Sequence, residues 1–320
     1  MREAEQATIS LEHAALSMEQ PTLSLNQKKR WLSTDRIMPK ILAGFALISI
    51  MTTVGIVLIL VTESASFFRE VSFWEFFTGT EWTPLFANPR FGVLPLVAGT
   101  LMVTVIATLV AIPLGLGSAI YLSEYAPDRA RAILKPVLEI LAGIPTIVYG
   151  FFAISFVTPV LRSILPQTEM FNVLSAGIVV GIMIIPMICS LSEDAMNAVP
   201  KSLRNGAYAL GATKLEVAPQ IVVPAALSGI VSSFVLGISR AIGETMIVTL
   251  AAGSLAQLTF NPLESMQTLT AYIVSVSSGD TQHGTVEYNT IYAVGITLFV
   301  MTLVMNIIAG YVARTFREEY

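Results

Sequence analysis

The chain has 320 residues, 54% apolar and only 12% charged, with a mean hydropathy of +0.72 and a formal net charge of −4. A soluble domain of this length carries about twice that charge, and several apolar runs exceed the roughly eighteen residues needed to cross a ~30 Å hydrocarbon core. These values exclude a soluble globular enzyme and point to a multi-spanning helical membrane protein; continuous apolar blocks rather than alternation argue against a β-barrel.

Residues 1–40 are polar and mixed in sign, ending in Lys28, Lys29, Arg30, Arg36 and Lys40. They read as a mostly disordered tail, with a short helix around Ile9–Leu16 as the alternative. Ile41–Thr62 is the first expected span. Small residues at Ser64-Ala65-Ser66 would suit a signal cleavage site, but the apolar run is longer than a signal core and follows a long tail, so an uncleaved helix is expected. Glu63–Leu94 is a polar and aromatic loop. Its Phe67, Phe68, Trp74, Phe76, Phe77 and Trp82 suit either the membrane–water interface or a small packed cap.

Five further spans are expected. They are Pro95–Leu122 with Pro113 inside, Ile133–Leu161 interrupted by Gly143-Ile144-Pro145 and Gly150, Phe171–Leu191 with Pro186, Pro224–Ala252, and Thr290–Ala313. Proline and glycine inside spans are tolerated where neighbouring helices satisfy the freed backbone groups, which suggests a packed bundle that flexes. The implied divisions are a tail over 1–40, the first helix with an extracytoplasmic loop over 41–94, a core over 95–314 containing a cytoplasmic loop at 193–224, and a C-terminal end at 315–320.

Orientation follows from lysine and arginine. One face receives Arg2 and the five tail cations, then Arg129, Arg131, Lys135, Lys201, Arg204, Lys214, Arg314 and Arg317; the other has Arg69, Arg90 and Arg162. Both termini are therefore expected in the cytoplasm, and the last loop, 254–289, carries no basic residue. Cys189 is the only cysteine and lies in an apolar run, so neither a disulfide framework nor a thiolate metal site is available. His13 and His283 stand far apart in polar segments and read as solvated residues. No metal, cofactor or catalytic residue is expected.

Chemistry concentrates between Glu193 and Leu255. A polar segment with Lys201, Arg204, Lys214 and Glu216 leads past Pro219 and Pro224 into an apolar run holding two charges, Arg240 and Glu244. A charge at mid-bilayer depth costs a few kcal/mol at least and marks a water-filled path or a partner. At 100° per residue Gly229, Ser233, Gly237, Arg240, Gly243, Glu244 and Ala251 share one face, small enough for another helix or a hydrated substrate to come close. Arg240 and Glu244 are four apart and can pair across one helical turn. No phosphate-cradling glycine loop of the Walker type occurs, and Gly115-Leu116-Gly117 reads as packing, so an energy source must come from a partner.

The spacing of Ala207, Gly211, Ile221 and Pro224 resembles the E-A-A-x3-G-x9-I-x-L-P loop of ABC importer permeases, with Asn205, Gly206 and Val223 departing from that pattern. Gly211 is positioned to take φ > 0 and turn the chain back. Ser239-Arg240-Ala241-Ile242-Gly243-Glu244-Thr245 is similar to the S-R-A-[IL]-G-E-T run of phosphate-specific (Pst) permeases, and Leu141–Gly150 resembles the same family's L-A-G-I-P-S-V-V-Y-G run. Phe77–Trp82, Phe91-Gly92 and Thr268–Ala271 favour the PstC branch over the PstA branch. The resemblance covers roughly residues 35–316 of the chain.

That resemblance implies an all-α bundle of six transmembrane helices, the type I (MetI-like) importer fold, in the inner membrane. It implies a companion PstA-like permease, two copies of a PstB-like ATPase, an extracytoplasmic PstS-like phosphate-binding protein, inorganic phosphate as cargo, contact with lipid and none with nucleic acid. Arg204, Asn205, Gly206, Ala207, Leu210, Gly211, Ala212 and Thr213 would meet the ATPase, where Lys201, Arg204 and Lys214 could pair with acidic groups. Arg240, Glu244, Ser233 and Gly237 would line the substrate path, Arg240 through its planar fork and Glu244 by holding Arg240 between passages. A sulfate or molybdate permease, an ion-coupled transporter or channel, and a receptor without transport are the other readings.

Overall fold

The computed structural model describes residues 25–279, 281–282 and 284–315. The expected tail over 1–24, His13, His283 and residues 316–320 lie outside the described residues, as do the side chains of Lys28, Lys29, Arg30, Arg36 and Arg314. Among the described residues the architecture is all-α, and the one isolated antiparallel bridge joins Trp82 and Phe91.

Helix α1 (Leu25–Glu70) is 46 residues long, so it begins before Ile41 and continues past Thr62. Residues as far as Ile59 form one unit and those from Leu60 onward another. In the first unit Phe45, Ile48 and Met51 are exposed, as a helix that is apolar all round and meets lipid requires. In the second unit the aromatic segment resolves into both options left open by its composition. Phe67, Phe76, Trp82 and Phe91 are buried with Leu96, Leu269 and Tyr272 in a cap built around α2 (Phe73–Thr78). The Trp82 and Tyr272 rings meet edge to face at 5.0 Å. Phe73 and Trp74 remain exposed.

Helix α3 (Leu94–Tyr125) ends in a π turn over Tyr121–Tyr125. The expected single span Ile133–Leu161 is replaced by two helices, the amphipathic α4 (Asp128–Gly143), with no buried residue, and the span α5 (Thr146–Ile164). The division falls where Ile144 and Pro145 are extended, with ψ of 129° and 135°, because a proline pushes the residue before it out of the helical region. Helix α6 (Val173–Asn197) starts at Asn172, whose Oδ1 accepts the Ser175 N–H at 2.7 Å.

The expected span Pro224–Ala252 is also corrected. Helix α7 (Lys201–Ala209) is followed by α8 (Lys214–Ala225) and α9 (Leu227–Ile242), which bend by 71° at their junction. A second break over 243–245 precedes α10 (Met246–Ala251). The last loop is not plain either, since it contains α11 (Leu269–Ser277) before α12 (Val286–Thr315). Among the described residues five helices are long and apolar enough to cross a membrane, or six if α8 and α9 make one span.

Small residues bring α3 and α6 together. A Cβ on Gly177 would lie 2.7 Å from Ile106 Cβ, and one on Gly181 2.8 Å from Val110 Cβ. Lipid is as apolar as leucine, so association within a membrane rests on such close packing rather than on the hydrophobic effect. Val103, Ala107, Ala111, Val180 and Ile184 fill the space around the contact. Gly181→Val forces that contact apart at a cost of about 1–3 kcal/mol. Its expected consequence is a thermal midpoint several degrees lower in detergent, read by a thiol-reactive dye on the buried Cys189. Gly206→Ala, facing open space, should not lower the midpoint; equal midpoints for both variants would contradict this packing.

Candidate functional site

Two features gather the residues that the sequence singles out: an elbow between α6 and α9, and a cavity beside α9. At the elbow, α7 leaves α6 through Pro200 and carries Arg204 turned inward. Arg204 Nη1 donates to the Val199 carbonyl at 2.8 Å, while Nη2 donates to the Met196 carbonyl at 2.8 Å and to Glu124 Oε1 at 3.0 Å. The Arg204 and Glu124 side chains are only 15% and 8% exposed. Arg204 therefore closes the carbonyl end of α6 and ties it to the π turn of α3, which corrects the expectation that it reaches a partner's acidic groups.

The rest of the elbow faces outward. Asn205, Gly206, Tyr208, Leu210, Lys201 and Lys214 are exposed, whereas Ala207 is buried on the inner side of α7. Gly211 has φ +87°, a left-handed conformation that glycine adopts without a Cβ clash, and it reverses the chain. Its N–H donates to the Tyr208 carbonyl, and Ala212 N–H to that of Ala207. Thr213 then starts α8: its N–H and hydroxyl both donate to Glu216 Oε2, at 2.8 and 2.9 Å. The Thr213 backbone N–H, and then its hydroxyl, hold the Glu216 carboxyl below the usual carboxylate range. Leu210 is 91% exposed and Leu215 75% exposed, two large apolar side chains on an otherwise polar turn. Isolated exposed leucines are ordinary, but here both stand on one short, ordered projection.

The small face of α9 is not open. A Cβ on Gly229 would lie 2.5 Å from that of Ala195, and one on Gly237 2.9 Å from Ile188 Cδ1. Ser233 Oγ shares a 2.7 Å hydrogen bond with Ser192 Oγ. Of the two uses that a small face allows, approach of another helix is the one realised, and α6 is that helix. Ser233 and Gly237 are thus contacts between α9 and α6.

Arg240 and Glu244 do not pair. Helix α9 ends at Ile242, so the turn that would set Arg240 beside Glu244 does not exist. Glu244, 4% exposed, instead accepts the N–H groups of Met246 at 3.0 Å and Ile247 at 3.3 Å through Oε1. A carboxylate satisfies the unpaired donors at the start of α10, and the Glu244 carbonyl accepts the Thr270 hydroxyl of α11 at 2.7 Å. Glu244 therefore fixes the break over 243–245; it does not restrain Arg240.

Arg240 is exposed to a cavity of about 460 Å³ between α4, α6 and α9, lined also by Lys135, Glu139, Met183, Ser190, Glu193 and Leu236. Its Nη2 lies 3.6 Å from Met183 Sδ, a weak acceptor, and it makes no ion pair with any of the described residues. At the other side of the cavity Lys135 Nζ lies 3.4 Å from Glu193 Oε2 and 3.8 Å from Asp194 Oδ1. Lys135 and Glu193 escaped the sequence reading. Lys135 looked like one more basic loop residue, and Glu193 like the polar edge of a loop. The charge of Glu193 within the last turns of an apolar span was the available signal.

Residues 111–318 match the family model of the binding-protein-dependent transport system inner membrane component. The chain belongs to that family. It is a permease subunit of an ABC importer, a multi-pass inner-membrane protein. The permease is 37% identical over 275 residues to the probable ABC transporter permease protein YqgH of Bacillus subtilis, covering 85% of this chain and 89% of that protein. It is 34% identical over 278 residues to the phosphate transport system permease protein PstC 1 of Mycobacterium tuberculosis, covering 76% and 82%. Its fold is that of type I importer permeases. A chain of the bacterial alginate ABC transporter, solved in complex with alginate pentasaccharide-bound periplasmic protein, superposes with a TM-score of 0.60 at 18% identity, over 92% of this chain and 97% of that one.

In this permease, removing Arg204 leaves Glu124 buried and uncompensated, a change that costs about 3–5 kcal/mol for a buried pair. Arg204→Ala should therefore raise amide hydrogen exchange across 196–217 by at least tenfold in the permease purified without partners, with partial recovery in Arg204→Lys. Unchanged exchange would assign Arg204 to the surface.

Proposed function

We propose that this permease forms half of the path for inorganic phosphate in an ATP-driven importer, with Arg240 as an anion contact. The observation that carries the reading is a guanidinium opening on a cavity of about 460 Å³, with the Met183 thioether as its one hydrogen-bond acceptor among the described residues. A cation held among apolar helices is costly unless water or a ligand reaches it. Its planar fork presents paired donors that match two phosphate oxygens, which a lysine cannot do. The name of the mycobacterial relative, a phosphate transport permease, agrees with that chemistry.

Energy enters at the elbow in this reading. The exposed Tyr208, Leu210 and Leu215, flanked by Lys201 and Lys214, offer apolar anchors with a basic rim to a cytoplasmic ATPase. A companion permease supplies the other half of the path, and an extracytoplasmic phosphate-binding protein delivers the anion. Both termini and the elbow face the cytoplasm, as the lysine and arginine distribution requires. ATP-driven closure of the ATPases displaces the elbow, and α9, joined to it through the 71° bend, carries Arg240 between accessible states.

The test is radiolabelled phosphate uptake in cells with and without the chain, competed with sulfate and molybdate. Phosphate alone should compete strongly, and Arg240→Ala should lower uptake by at least a hundredfold while the complex still copurifies. Competition by sulfate or molybdate at equal concentration would assign another oxyanion, and full uptake by Arg240→Ala would remove Arg240 from the path.

A further inference from the structure

The cavity and the elbow are joined by a continuous set of polar contacts. Lys135, on the cavity wall, pairs with Glu193 at 3.4 Å, and Glu193 Oε1 accepts from Asn197 Nδ2 at 3.4 Å. Ser123 Oγ lies 3.3 Å from Asn197 Oδ1 and 3.0 Å from Glu124 Oε1, and Glu124 Oε1 also accepts from Arg204 Nη2 at 3.0 Å. The chain of contacts therefore runs from α4 through α6 and the π turn of α3 to α7. Glu193 and Glu124 are both nearly buried, so each holds its partner in place of water.

We propose that Ser123 is the switch in this relay, a positioning residue that couples the state of the elbow to the charge pair at the cavity. The inference rests on the elbow receiving the ATPase. A hydroxyl has one proton, and Ser123 faces two acceptors that belong to different sides of the relay. Donated to Glu124, the proton supports the carboxylate that anchors Arg204. Donated to Asn197, it fixes the amide whose other end restrains Glu193. Displacement of α7 draws Arg204 from Glu124 and exchanges one arrangement for the other. Glu193 is then held differently against Lys135, and the cation available to an anion in the cavity changes with it. The coupling has a discrete element with two arrangements, which a transmitted signal needs and mere adjacency lacks.

The distinguishing quantity is phosphate moved per ATP hydrolysed, in proteoliposomes holding the complete importer with its binding protein. Ser123→Ala should lower that ratio by about fivefold or more, the scale of ordinary coupling between sites, while ATP hydrolysis continues. Ser123→Thr, which keeps a hydroxyl, should restore it, and Glu193→Gln should lower it as Ser123→Ala does. An unchanged ratio in either Ser123→Ala or Glu193→Gln overturns the relay. So does a parallel fall of transport and hydrolysis that Ser123→Thr fails to restore, since that marks a structural role. If the unsubstituted importer moves phosphate but Ser123→Ala behaves like it, only the relay falls. If the unsubstituted complex moves no phosphate or holds no ATPase, the functional reading falls and the relay with it.

Discussion

The close approach of α3, α6 and α9 governs where Arg240 ends up. Gly177 and Gly181 let α6 lie against α3, and Gly229, Ser233 and Gly237 let α9 lie against α6. With α9 held there, Arg240 faces Met183 and the cavity. The same contact places Glu193 opposite Lys135. In lipid, where apolar surface gains nothing by meeting other apolar surface, such fits and a few polar contacts have to supply the cohesion.

On that frame the two breaks around α9 have different characters. The bend at Ala226 links it to the elbow; it follows Pro224, and the Ala226 N–H still donates to the Val222 carbonyl at 2.9 Å. The break over 243–245 is fastened, through Glu244 to the N–H groups of α10 and through its carbonyl to Thr270 of α11. The fastened end lies one turn beyond Arg240. Three acceptors hold the Arg204 side chain at the elbow, one on α6, one on the π turn of α3 and one in the link between α6 and α7.

Composition and run length were enough to read an all-α membrane bundle, and the motif spacing was enough to read the importer family. Gly211 was legible because a reversal between helices demands a left-handed residue, and it has one. Other features were hidden because their meaning lies in tertiary contacts. A basic residue on a polar segment reads as solvated, yet Arg204 meets two carbonyls that only the folded end of α6 exposes. An i, i+4 charge pair assumes an unbroken helix, and Gly243 ends it before Glu244. The division at Ile144-Pro145 was visible in the residues, but hydrophobicity on both sides suggested one interrupted span. The small face of α9 was read with the right residues and with two possible neighbours, and the choice between helix and substrate needed the position of α6.

The central claim, that Arg240 stands free of Glu244 and meets the transported anion, is tested most directly by a cryo-electron microscopy map of the assembled importer trapped with phosphate. The account predicts density of phosphate size within hydrogen-bond distance of the Arg240 guanidinium, with Glu244 still on the Met246 and Ile247 N–H groups. An ion pair between Arg240 and Glu244, or a guanidinium turned to lipid with phosphate bound elsewhere, would contradict it.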